Sequence, residues 1–66
     1  MLHIHLYRAR RRYRDLVAAI AEEAGRRLPD AGRIRELKAL RDVARERAAE
    51  IELEMTLAEG APAWSS

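Results

Sequence analysis

A single break constrains this chain more than any other feature. Leu28-Pro29-Asp30-Ala31-Gly32 interrupts 66 residues that are otherwise rich in Ala, Leu, Arg and Glu, the strong helix formers. Pro29 biases Leu28 away from helical geometry and has no amide proton to donate, so no helix runs cleanly through it. On both sides apolar residues recur at steps of three and four. Tyr13, Val17, Ile20, Ala24 and Leu28 do so before the break, with Leu16 and Ala21 widening the stripe; Ile34, Leu37, Leu40, Ala44, Ala48, Ile51, Met55 and Ala58 do so after it. This is the spacing of one helix face. The expected fold is all-α: an antiparallel two-helix hairpin, helix 1 over about residues 8 to 27, a turn over 28 to 32 and helix 2 over about 33 to 59.

Local signals set the expected ends. Gly25 is a candidate left-handed cap for helix 1, and the Asp30 carboxylate can accept orphan amide protons at the start of helix 2. Gly60 before Ala61-Pro62 ends helix 2, which makes residues 1 to 60 one domain and residues 61 to 66 a flexible tail. The first residues read two ways. Leu2, Ile4 and Leu6 alternate with His3 and His5, as in a short half-buried strand, yet Leu6 also serves as a stripe position of a longer helix.

Such a short chain buries little surface and needs a disulfide, a metal or a partner to hold it. There is no Cys, and His3 and His5 are the only imidazoles. Even with Glu52 or Glu54 nearby they fall short of a tetrahedral site built mainly from Cys and His, so no metal is expected. Self-association into a helical bundle, as a dimer or higher, or docking on a larger protein assembly is the remaining route. Val17, Ile20, Leu37, Leu40, Ile51 and Met55 are expected at the centre of the hairpin seam. Leu16, Val43, Leu53 and Leu57 are left over on flanking faces and, with Trp64 in the tail, form the expected partner interface.

Charge is segregated along the chain. Residues 1 to 35 hold nine Arg and four acids, a net +5; residues 36 to 66 hold four basic residues and seven acids, a net −3. Both helix ends oppose the helix dipole, with arginines at the beginning of helix 1 and glutamates at the end of helix 2. Antiparallel pairing offers compensation by setting Arg14 near Glu46, Arg10 near Glu50 and Arg8 near Glu52 or Glu54. The run Arg8, Arg10, Arg11, Arg12 and Arg14, flanked by Tyr7 and Tyr13, is also a candidate polyanion surface, since guanidinium groups neutralise phosphates and tyrosine rings stack on bases.

Nothing points to catalysis. Thr56, Ser65 and Ser66 are the only hydroxyls besides the tyrosines, and no glycine-rich phosphate loop is present, so no enzyme activity, cofactor or small-molecule substrate is expected. The longest apolar run, Leu16 to Ala21, is too short for a signal core or a membrane span. The Arg-rich start resembles a transit peptide, but those are rich in Ser and the first Ser is Ser65; a cytoplasmic location is expected. The leading expectation is a non-enzymatic helical interaction or assembly protein. The alternative is a ribbon-helix-helix-like dimeric DNA-binding regulator, with Leu2, Ile4 and Leu6 facing the core and His3, His5 and Tyr7 facing the major groove. That alternative is an architectural likeness carried by no motif, and helix 2 is long for it.

Overall fold

The computed structural model describes residues 2 to 58. They form α1, Leu2–Ala24, and α2, Ala31–Ala58, packed side by side as an antiparallel hairpin. The all-α expectation holds. No strand occurs among the described residues, and the strand reading of residues 2 to 7 is corrected: α1 is already helical at Leu2. Leu2 and Leu6, four apart, lie together on the covered face of α1, whereas Ile4 points away and is 53% exposed. Among the described residues the order is therefore helix, helix, not strand, helix, helix. The expected tail, including Trp64, lies outside the described residues.

The seam follows a seven-residue repeat. On α1 the buried and half-buried positions include Leu2, Leu6, Ala9, Tyr13, Leu16, Ile20 and Glu23; on α2 they include Ile34, Leu37, Arg41, Ala44, Ala48, Ile51 and Met55. Both series alternate steps of three and four, the spacing of a coiled-coil seam. Leu6, Ala9 and Ile51 form a buried cluster, with Leu2, Ala48 and Met55 against it. Ala9 and Ala48 place two small side chains in the seam near the open end. Ile51 is only 2% exposed, and burying such a side chain contributes roughly 1.5–3 kcal/mol.

This phase departs from the expected one on both helices. Val17 and Leu40, expected at the centre, are 40% and 41% exposed, while Leu16, expected to be left over, is half-buried in the seam. Two stripes overlap on α1 and share Tyr13 and Ile20. Continued towards the N-terminus, the stripe through Val17 meets Arg14 and Arg10, whereas the stripe through Leu16 meets Ala9, Leu6 and Leu2. The longer apolar register wins, and the residues of the other stripe, Val17, Ala21, Ala24 and Leu28, are all exposed. On α2 the same repeat puts Arg41 rather than Leu40 in the seam. Its side chain is 30% exposed, and Nε and Nη2 donate to Asp42 Oδ1 at 3.2 and 3.1 Å.

The connection is built from polar contacts. The amide of Gly25 still donates to Ala21 O and Glu22 O, at 3.0 and 3.2 Å, and that of Arg26 donates to Glu23 O at 3.2 Å, so α1 ends by tightening its last turn ahead of Pro29. Gly25 does not take the expected left-handed conformation. Asp30 caps α2 as expected: its Oδ1 accepts from the Arg33 amide at 3.1 Å, and its carbonyl accepts from the Ile34 amide at 3.0 Å. The Asp30 amide donates to Glu23 Oε1 at 3.3 Å. In a capping box that contact comes from an acid three residues into the same helix; here the preceding helix supplies it.

Candidate interaction surface

Two helices leave two flanks and two outer faces uncovered. On the first flank Tyr7, Arg10, Arg14 and Val17 of α1 run beside Arg45, Ala49 and Glu52 of α2. On the second, Arg8, Arg12, Asp15 and Ala19 run beside Arg33, Leu40 and Arg47. These sets follow from the repeat, since residues adjacent to each seam position project to one side or the other. Each flank carries an open trough. His3, Tyr7, Arg10, Tyr13 and Arg14 line the first, above Leu6, and Arg8, Arg11, Arg12, Asp15, Ala19 and Arg33 line the second, above Leu16 and Leu37.

The only ion pair between the helices, among the described residues, joins Arg10 and Glu52. The remaining pairs are local: Arg26 with Glu23 at 3.2 Å, Arg33 with Glu36 at 3.6 Å, Arg41 with Asp42 at 3.1 Å and Arg47 with Glu50 at 3.6 Å. The expected antiparallel register is right to within a turn, but its individual pairs are corrected. Arg14 with Glu46, Arg10 with Glu50 and Arg8 with Glu52 or Glu54 do not form. Arg10 and Glu52 flank the seam on the same side, whereas Arg14, Arg8 and Glu46 project farther from it. Arg8, Arg11, Arg12 and Arg14 thus make no ion pair with an acid among the described residues.

The tyrosines flanking this basic run part company: Tyr13 is half-buried in the seam, and Tyr7 is 57% exposed. His3 and His5 are two residues apart on a helix and project to different flanks, and no group of three His, Asp or Glu side chains gathers as a metal cluster among the described residues. No described helix is long and apolar enough to cross a membrane.

Of the expected partner interface, Leu16 is in the seam, while Val43, Leu53 and Leu57 are 64%, 60% and 71% exposed. Leu40 joins them. Leu40, Val43, Arg47, Glu50, Glu54 and Leu57 follow one another at steps of three and four and so share one face of α2, with Leu53 at its outer edge. Sequence reasoning did not single out Arg47 and Glu50 in this stripe. Their spacing from Val43 and Leu57 was the signal, but it becomes legible only once the seam phase is known. No protein-family model, curated protein or solved structure matches the chain.

Proposed function

We propose that this chain is a non-enzymatic helical assembly module whose packing is completed by another helical surface, in a self-associated bundle or on a larger complex. The observation that carries the reading is the exposed apolar stripe of α2. Leu40, Val43, Leu53 and Leu57 lie outside the hairpin seam, and exposed apolar surface grouped in this way marks protein contact sites. The seam itself is narrow and includes several alanines, so the hairpin gains limited burial from its own contacts. Light scattering at micromolar concentration tests the reading. A mass above one chain is expected, with Leu53→Glu combined with Leu57→Glu lowering it; a stably folded wild-type monomer would overturn self-association.

A second reading has its own support. Arg8, Arg11, Arg12 and Arg14 make no ion pair with an acid among the described residues, and three of them line one trough with Arg33. Such a surface suits a polyanion such as duplex DNA. Binding would then weaken steeply with salt, and replacing these four arginines with Gln would flatten that dependence. Affinity insensitive to salt, or unchanged in the variant, would remove this reading.

A further inference from the structure

We propose that the stripe Leu40, Val43, Arg47, Glu50 and Leu57 is a self-complementary dimer interface, occupied by the same stripe of a second copy running antiparallel to it. This rests on the assembly reading above and names its partner, its surface and its symmetry.

Charge and spacing select this partner. An isologous contact sets each residue against one equally far from the two-fold axis on the opposite side. With that axis passing between Arg47 and Glu50, equal rise along the two helices brings Arg47 opposite the partner's Glu50, and Leu40 opposite the partner's Leu57. Each pairing occurs twice. The contact has apolar ends and a centre in which Arg47 and Glu50 each meet the opposite charge. Val43 falls opposite the partner's Glu54, whose methylene stem can cover it while the carboxylate reaches the edge. A parallel alignment in register would set Arg47 against Arg47 and Glu50 against Glu50, so the sequence selects one direction.

The local geometry leaves these groups available. Arg47 and Glu50 contact each other along α2 at 3.6 Å, with side chains 57% and 65% exposed, so exchanging that loose pairing for one across the interface buries no unpaired charge. The stripe adjoins the flank on which α1 contributes Arg8, Arg12, Asp15 and Ala19, of which Ala19 is the small side chain beside Leu40 and the other three are exposed. From Leu40 to Leu57 it extends about 25 Å, long enough for a continuous helix–helix contact.

Charge exchange tests the proposal. Arg47→Glu makes the central positions wholly acidic, and Glu50→Arg makes them wholly basic. Each variant alone should weaken dimerisation by at least about tenfold in sedimentation equilibrium. Mixed in equal amounts, the two should recover the wild-type dimer mass, because acidic and basic centres then oppose each other. The combined variant should dimerise with itself but not mix with wild type. Mixing guards against misfolding, since a damaged helix is not repaired by a second damaged helix; circular dichroism follows helicity throughout. Single variants that keep wild-type affinity, or that remain apart when mixed, would overturn the interface. If wild type assembles while charge exchange changes nothing, this placement fails and the assembly reading stands; if wild type is monomeric, self-association and this interface fail together.

Discussion

Arg10 of α1 and Glu52 of α2, forty-two residues apart in sequence, form the ion pair that crosses the hairpin near its open end. It satisfies part of the charge at the basic start of α1 and the acidic end of α2, each of which is unfavourable next to its own helix dipole. Both side chains remain at least half exposed, so water and salt screen the attraction. Arg10→Ala and Glu52→Ala should each lower stability by less than about 1 kcal/mol, with a coupling of a few tenths that fades in high salt. A double-mutant cycle by urea denaturation at fixed chain concentration measures it. A coupling of several kcal/mol would show that the pair is shielded from solvent in the assembled protein.

The phase of the seam makes a sharper prediction. Leu16→Ala should cost about 1–3 kcal/mol, because Leu16 is half-buried between the helices. Val17→Ala should change hairpin stability by less than about 0.5 kcal/mol, since the exposed face loses little packing and Ala favours the helix. Denaturation midpoints of the two variants decide between the phases, and the reverse order would restore the stripe through Val17.

That pair of residues also shows what was legible in the sequence. The break at Pro29, the cap at Asp30 and the antiparallel pairing of a basic start with an acidic end could all be read directly, because each depends on local chemistry or coarse register. The choice between Leu16 and Val17 could not. Either residue continues a stripe through Tyr13 and Ile20, and the distinction lies in Leu2, Leu6 and Ala9, whose alternation with His3 and His5 also imitates a strand. Arg41 was hidden for a different reason: charge suggests solvent, but its long stem fills a seam position. The interaction stripe inherited that uncertainty, because Leu40 could be recognised as exposed only after Arg41 had taken the seam.

The junction between the helices should respond to two substitutions in different ways. Asp30→Ala removes the acceptor for the Arg33 amide and should cost about 1 kcal/mol, whereas Asp30→Asn retains an acceptor and should cost less. Glu23→Ala removes the acceptor for the Asp30 amide and the partner of Arg26 together, while Glu23→Gln keeps an oxygen for the amide. Hydrogen exchange separates the effects: the Arg33 amide should lose protection in Asp30→Ala, and the Asp30 amide in Glu23→Ala but not in Glu23→Gln. Equal protection of both amides in every variant would mean that packing, not capping, fixes the turn.

Ile51 and Leu53 are two residues apart on α2 and should report on two different processes. Ile51 packs against Leu6 and Ala9 and is almost wholly covered; Leu53 is 60% exposed. Ile51→Ala should cost about 2–5 kcal/mol, a large share of what so small a hairpin can possess, and lower the helicity even of dilute protein. Leu53→Ala should leave the unfolding midpoint of dilute protein within about 0.5 kcal/mol of wild type. Its effect should instead appear as concentration rises, as weaker association at the edge of the α2 stripe. Circular dichroism and sedimentation across a hundredfold range of concentration distinguish the two responses. If Leu53→Ala destabilises the dilute chain as much as Ile51→Ala, then Leu53 is covered within a single hairpin and is not free to meet a partner.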